Sequence, residues 1–369
     1  MSAATPYSHL PDRAYWRRAV AAPPRAEVDP VDPPPFTIAR EDRVMTAGSC
    51  FAQHIARYLR QSGFNAVLTE TAHPMISAAD AADFNYGTFT ARYGNIYVAR
   101  QLLQLFRRAY GQFTPAEDLW EAPEGRFIDP FRPQIQPGGF ASRREYDLDR
   151  AQHLAAVRQG FETLDVFVFT LGLTEGWVSR QDGAVFPLCP GVAGGVFDPA
   201  RHVFHNFSVD EITADLTEFI GLLREVNPKA RVILTVSPVP LIATASGRHV
   251  LTATTWSKSV LRVAAGMLEA ALPQVCYFPS YEVILGPQAG NSWLAEDLRS
   301  VREEGVAQVM RLFFRHFTGT EPDFAEAQGG AQQVPARDTT PDTARDTASA
   351  EMARVVKLVC EEEALDRHG

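Results

Sequence analysis

The residues of this sequence best suited to chemistry are Gly48, Ser49 and Cys50, which follow a short apolar run at residues 44–47. Gly48 has no Cβ and therefore permits a tight turn from a strand into a helix. The helix would place Cys50 near its N-terminus, where unpaired N–H groups and the helix dipole favour a thiolate and could hold an oxyanion. The turn is a candidate nucleophile site, although a small buried cysteine beside a helix cap gives the same pattern.

Such a turn needs a scaffold, and the chain alternates apolar strands with amphipathic helices. Residues 165–171 and 231–236 are continuous apolar runs, typical of strands buried on both faces. Ser208 and Glu211 form a capping box ahead of a helical apolar pattern. Further helices are predicted from residue 51, within 95–110, and over 151–164, 254–272 and 301–317. This alternation predicts an α/β fold, a three-layer α/β/α sandwich with a parallel sheet of four or five strands.

In a parallel sheet of this kind, ligands bind at the carboxyl ends of the strands. Each predicted strand here runs into polar residues: Ser49 and Cys50, then Thr174 and Glu175, then the loop that carries His249. We therefore expect several chemically capable segments to meet at one edge of the sheet.

Residues 47–52 read Ala-Gly-Ser-Cys-Phe-Ala, the signature of the GSCFA domain family, which belongs to the SGNH-hydrolase-like superfamily. The chain resembles this family over roughly residues 7–317. Other matching segments are residues 92–97, 167–175, 227–239, 257–258 and 277–282. The resemblance implies a flavodoxin-like SGNH fold with four motif blocks at the strand ends.

In the wider superfamily the first block is Gly-Asp-Ser, with serine as nucleophile. By this resemblance Gly48, Ser49 and Cys50 align as Gly-x-nucleophile, which assigns the role to Cys50 and leaves Ser49 as the competing choice. The second block supplies an oxyanion-hole glycine, for which Gly94 is the candidate, with Asn95 beside it.

The third block is Gly-x-Asn in the superfamily. This sequence keeps Gly172 but has Thr174 where the asparagine is expected, and a threonine hydroxyl can also donate a hydrogen bond. Glu175 follows and could orient a base or cap a helix. Arg92 and Lys258 could hold an anionic substrate, although a solvated surface charge is the commoner reason for such residues.

The last block, Asp-x-x-His, shows the largest departure from the superfamily. Asp297 is present, but Ser300 stands where the catalytic histidine is expected. The alternative bases are His249, His205 and His54, in that order, and each alone is more often a hydrogen-bonded structural histidine.

The resemblance to this superfamily implies acyl-ester chemistry, as an esterase or O-acyltransferase that acts on a carbohydrate or another hydroxyl acceptor through an acyl-enzyme. The alternative is a non-catalytic binding or scaffold module that kept the SGNH fold after losing its histidine. No cofactor and no metal site are expected, because dinucleotide, phosphate-loop and zinc motifs are absent from the sequence.

The composition and charge exclude some classes of protein. A formal net charge of −9 without a basic block argues against nucleic-acid binding. No signal peptide or membrane span is visible, so a cytoplasmic protein without membrane association is expected. Its expected partner molecule, which the resemblance implies, is a small-molecule or carbohydrate acyl ester.

The sequence also predicts the organisation of the chain. Residues 1–38 are rich in proline and predict an extended arm, followed by one α/β domain over 39–320. Residues 321–349 have almost no large apolar side chains, which predicts a disordered linker. Residues 350–369 contain a short amphipathic helix that could dock on this protein or on a partner protein.

Overall fold

A computed structural model describes residues 5–321 of the chain. The strands are, in chain order, β1 (Val44–Gly48), β2 (Trp120–Ala122), β3 (Arg126–Ile128), β4 (Val166–Leu171), β5 (Glu175–Ser179), β6 (Val185–Phe186), β7 (His202–Asn206), β8 (Arg231–Val236) and β9 (Val275–Phe278). The helices are α1 (Cys50–Gln61), α2 (Ala78–Asp83), α3 (Ala99–Ala109), α4 (Arg143–Thr163), α5 (Val209–Val226), α6 (Val250–Ala271), α7 (Ser280–Leu285) and α8 (Glu303–Phe317). The predicted linker and C-terminal helix lie outside the described residues.

The central sheet has four parallel strands in the order β1-β4-β8-β9. Its strands are buried because helices cover both faces. Along β4, Phe167 and Phe169 enter the core beneath α3, α4, α5 and α6, whereas Val166 and Val168 enter the core beneath α1, α7 and α8. The predicted α/β/α sandwich is therefore confirmed, with four strands in its sheet.

Two small antiparallel sheets lie outside this sandwich. β5 pairs with both β6 and β7, and β2 pairs with β3. Neither of them is predicted by the sequence pattern. The three-stranded sheet begins at Glu175, only four residues after β4 ends at Leu171, so it lies beside the carboxyl edge of the central sheet.

The N-terminal segment packs against the last helix. Val31 and Ile38 are buried in the core beneath α8, and the N–H of Ile38 donates to the carbonyl oxygen of Phe317. The side chain of His316 contacts Asp29 at 2.7 Å. These contacts fix residues 29–38 on the face of the sandwich that also carries α1.

Candidate active site

The turn at residues 48–50 joins β1 to α1, and its shape requires glycine at its first position. Gly48 has φ 137°, and a Cβ there would lie 2.3 Å from the carbonyl oxygen of Thr170 on β4. Any other residue would collide with the neighbouring backbone. Ser49 is the N-cap residue of α1 and Cys50 is its first residue, and both are buried.

The hydroxyl of Ser49 has no hydrogen-bond partner among the residues that the structure describes. It does not cap α1 through its side chain, although its carbonyl oxygen accepts the N–H of Ala52 at 2.9 Å. A buried hydroxyl without a partner is uncommon, since desolvation is then uncompensated. The 48–50 turn thus combines a hydroxyl, a thiol and the N-terminus of a helix of 12 residues.

The segment around Gly94 lies directly against this turn. The N–H of Ile96 donates to the carbonyl oxygen of Gly48 at 2.8 Å. Asn95 is buried, and its side-chain oxygen accepts a hydrogen bond from Gln53 on α1 at 3.1 Å. Gly94 has φ 70°, a left-handed conformation that favours glycine. The structure therefore brings Gly94 and Asn95 beside Ser49 and Cys50.

The turn at residues 172–174 closes the other side of the site. A Cβ on Gly172 would lie 3.1 Å from the Cβ of Ser49 and 3.0 Å from the carbonyl oxygen of Tyr97. The N–H of Leu173 donates to that same oxygen at 2.9 Å. Gly172 is therefore the place where the ends of β1 and β4 and the segment before α3 come into contact.

The residues after Gly172 are also buried or held by hydrogen bonds. The N–H of Thr174 donates to the hydroxyl of Ser257 at 3.1 Å, and the Thr174 hydroxyl has no partner within residues 5–321. The carboxylate of Glu175 accepts a hydrogen bond from Thr244 at 2.7 Å. Burial raises the pKa of Glu175.

A buried charge network supports the Gly94 segment from behind. The N–H of Arg92 donates to Glu70 at 2.7 Å, and its guanidinium donates to Asp149 at 2.8 Å. Arg132 donates to Asp149 at 2.7 Å and to the carbonyl oxygen of Arg92 at 3.3 Å. Arg92 is 1% exposed. The expectation of a substrate-binding or solvated Arg92 is therefore wrong, because its charge is used within the core.

The network sets the ionisation of two further groups. Burial lowers the pKa of His153 to about 4, so this histidine is neutral at pH 7. Burial would raise the pKa of Glu70, but the hydrogen bond from His153, the charge of Arg132 and the N–H of Arg92 lower it to about 2. His153 and Glu70 are 2.8 Å apart.

The three histidines considered as bases each have another contact. His249 is the N-cap of α6, where its Nδ1 accepts the N–H of Leu251 at 3.1 Å. His205 lies on β7, with its Nε2 2.8 Å from Glu211. His54 lies 3.3 Å from Arg57, and burial, together with that charge, lowers its pKa to about 4.

Asp297 is engaged by the residue that replaces the expected histidine. Its carboxylate accepts the Ser300 hydroxyl at 2.6 Å and the N–H groups of Arg299 and Ser300 at 3.0 and 2.9 Å. The loop ends at α8, where Glu303 contacts Arg57 of α1 at 2.7 Å. Asp297 therefore stabilises its own turn, and within the described residues it has no histidine partner.

Lys258 is the site residue whose place the sequence analysis missed. It is 1% exposed, and its Nζ donates to the carbonyl oxygen of Gly172 at 2.7 Å. The expectation of a solvated charge at this position is therefore wrong. The sequence signal that could have revealed this role was the Ser257 and Lys258 pair, which is one of the segments that match the GSCFA family. The pair lies in a helix with few other charged residues.

The other described cysteines differ from Cys50 in their position. Cys276 lies on β9 in the core, and burial raises its pKa to about 12. Cys189 lies in the loop between β6 and β7, where burial raises its pKa to about 11. No disulfide forms between the cysteines that the structure describes.

Comparison with known proteins gives one family match. The model of the GSCFA family matches residues 43–313, which include the 48–50 and 172–174 turns and Asp297. No curated protein matches the chain. Within residues 5–321, no helix is long and apolar enough to cross a membrane.

Two esterases are among the solved structures that resemble this one. One is an acetyl esterase variant crystallised with an acetate ion, with a TM-score of 0.25 and 14% identity, over 73% of this chain and 92% of that chain. The other is an acetyl xylan esterase from the rumen bacterium Butyrivibrio proteoclasticus, with a TM-score of 0.24 and 12% identity, over 65% of this chain and 56% of that chain. Neither likeness supplies a residue correspondence for the site.

Proposed function

The chain belongs to the GSCFA family, and from that membership we propose that it carries out acyl-ester chemistry at the 48–50 turn. Cys50 is the proposed nucleophile, with Ser49 as the alternative. The substrate is an ester or thioester, and the acyl group passes to water or to a hydroxyl group, of which a carbohydrate hydroxyl is our proposed acceptor.

The observation that carries this proposal is the contact between the two turns. Gly172 brings the end of β4 against Ser49, and the N–H of Ile96 holds the carbonyl oxygen of Gly48. The first N–H groups of α1 begin at this junction, because Cys50 is the first residue of the helix. Unpaired N–H groups and the positive end of a helix dipole stabilise a thiolate before attack and an oxyanion after it.

In the proposed reaction the Cys50 thiolate attacks the carbonyl carbon and forms a C–S bond. The negative charge moves to the carbonyl oxygen, which the N–H groups of the turn stabilise. The C–O bond of the ester then breaks, and the leaving alkoxide takes a proton from water. A second attack on the thioester, by water or an acceptor hydroxyl, releases the acyl group, gives its proton to the solvent and restores the thiolate.

The thiol is preferred over the hydroxyl because of what surrounds the turn. A serine hydroxyl needs an adjacent general base to attack at neutral pH. The proposed histidines have the contacts given above, and the Ser49 hydroxyl has no partner among the described residues. A thiol has an ordinary pKa of about 8.5 and can ionise without a paired base.

A non-catalytic binding module is the second candidate. The observation in its favour is the hydrogen bond from the Ser300 hydroxyl to Asp297, the two residues that the family resemblance aligns with the usual catalytic dyad. A protein of this kind would bind an acyl ester without cleaving it.

The two candidates are separated by the hydrolysis of p-nitrophenyl acetate by the full chain, with mass spectrometry of the acylated protein. We expect a burst of p-nitrophenol and an acetyl group on Cys50. Cys50→Ala should abolish both, whereas Cys189→Ala should keep them. An acetyl group on Ser49, with activity lost in Ser49→Ala and kept in Cys50→Ala, transfers the role to Ser49.

Binding of the ester without turnover or acylation would favour the binding module. Acceptor use is tested with acetyl-thioester as donor and a panel of mono- and oligosaccharides. Acetylated sugar should form faster than free acetate for the proposed transferase, and acetate alone would indicate an esterase.

A further inference from the structure

Two consecutive side chains of α6 hold the 172–174 turn at both ends. Lys258 donates from Nζ to the carbonyl oxygen of Gly172 at 2.7 Å, and Ser257 accepts the N–H of Thr174 at 3.1 Å. Both residues are buried. A buried ammonium carries a large desolvation cost, so its presence beside a functional site calls for a role for the charge.

The held turn is the one that contacts the proposed nucleophile. A Cβ on Gly172 would lie 3.1 Å from the Cβ of Ser49. Together with the 2.7 Å bond to Lys258 and standard bond lengths, this places the ammonium within about 10 Å of the Ser49 Cβ. Cys50 is the next residue along the chain.

Other charged groups lie on the packed elements, and most of them have partners of their own. Arg60 on α1 is a further cation, and burial lowers its pKa. On α1 and α8, Arg57 is paired with Glu303, and His54 is neutral because burial and Arg57 lower its pKa to about 4. On β5, the Glu175 carboxylate accepts a hydrogen bond from Thr244, and burial raises its pKa. On α6 itself, Arg262 is paired with Glu282 at 2.9 Å.

We propose that Lys258 supplies the fixed positive charge that stabilises the anionic nucleophile of the 48–50 turn, in place of the histidine that Ser300 replaces. This inference rests on the proposed function for its purpose, but its physical effect can be measured without turnover. A unit charge about 10 Å away, at an effective dielectric constant of about 20, changes the pKa of a thiol by roughly one unit. At a pH below that pKa, the thiolate fraction then changes by roughly tenfold.

The test is the pH dependence of Cys50 alkylation by iodoacetamide in the full chain, followed by peptide mass spectrometry. Lys258→Gln is the main variant, since a neutral amide can still donate to the Gly172 carbonyl. Its alkylation midpoint should rise by half a unit to one unit relative to the wild type. Lys258→Met should give the same rise, because it removes the same charge.

Two matched variants separate charge from packing. Lys258→Arg keeps the charge and should keep the midpoint within about 0.3 units of the wild type. Arg262→Met removes a cation from the same helix, away from the 172–174 turn, and should leave the midpoint unchanged. Circular dichroism and a melting curve establish that each variant is folded, and Lys258→Arg keeps the inference testable if the neutral variants do not fold.

An unchanged midpoint in folded Lys258→Gln would overturn the inference, and so would a raised midpoint in Lys258→Arg. A merely structural Lys258 would lower the melting temperature in Lys258→Met without moving the midpoint. The wild-type protein could fail to cleave any ester while the alkylation midpoint of Cys50 still depends on Lys258. That result would support this inference and contradict the proposed function.

Discussion

Gly172→Ala tests whether the contact between the two turns controls activity. The added methyl would lie 3.0 Å from the carbonyl oxygen of Tyr97 and 3.1 Å from the Cβ of Ser49. Both distances are shorter than ordinary van der Waals contacts, so one of these segments must move by a few tenths of an ångström. Gly172 does not have a positive φ, so the change adds crowding without backbone strain.

The expected cost of this crowding is about 1–3 kcal/mol of unfolding free energy, partly offset by about 0.4–1 kcal/mol from the less flexible unfolded chain. A net loss of about 1–2 kcal/mol should leave the protein folded. Activity is more sensitive, because a displacement of about 1 Å at a reacting group can cost about 100-fold in rate. A displacement of a few tenths of an ångström predicts a kcat that is lower by roughly three- to tenfold.

Urea unfolding gives the stability and p-nitrophenyl acetate hydrolysis gives the rate. The matched control is Gly176→Ala, whose Cβ would lie 3.3 Å from the Val185 side chain, away from Ser49. It should show a comparable stability loss and a nearly normal kcat. A Gly172→Ala protein that hydrolyses the ester at the wild-type rate would refute the view that this contact positions the nucleophile.

Three further predictions concern stability and thiol reactivity. Arg132→Met breaks buried ion pairs with Asp129 and Asp149 and should lower the unfolding free energy in urea by about 3–5 kcal/mol. Arg158→Met breaks an exposed pair and should lower it by less than about 1 kcal/mol. Equal losses would contradict the view that the buried charge network stabilises the fold. The unfolding free energy should fall by several kcal/mol between pH 6.5 and pH 4, with up to about 3 kcal/mol from each of two buried histidines. The unfolded chain protonates His153 and His54 in this window, whereas the folded state, with both pKa values lowered to about 4, does not. A flat profile would exclude this linkage. At pH 7.5 iodoacetamide should label Cys50 faster than Cys189, although Cys189 is more exposed, because burial raises the pKa of Cys189 to about 11. The reverse order of labelling would show that solvent access alone decides thiol reactivity.

The sandwich could be predicted because its signals are local and periodic. The residues of β4 form a continuous apolar run, and all of them except a threonine bury apolar side chains in the two cores. The capping box of Ser208 and Glu211 is present at the start of α5. The placement of Gly48 also followed from sequence, since only glycine fits a strand end that presses against the next strand.

The small three-stranded sheet was missed for a physical reason. β5 is short, and its partner β7 lies far along the chain, so the pairing depends on contacts that periodicity does not reveal. The burial of charged side chains cannot be read from sequence periodicity for the same reason. Arg92 and Lys258 look like surface residues in sequence, because their partners Glu70 and Gly172 come from other elements.

The double attachment of α6 to the 172–174 turn restricts where this chain can change in length. An α-helix turns by about 100° per residue, so one residue inserted in α6 ahead of Ser257 would rotate both Ser257 and Lys258 away from the turn. The loops at residues 237–249 and 286–302 flank α6 and α8 and can change in length without this rotation. Related chains should therefore vary in length in these loops, while the distance from the start of α6 to Lys258 stays constant.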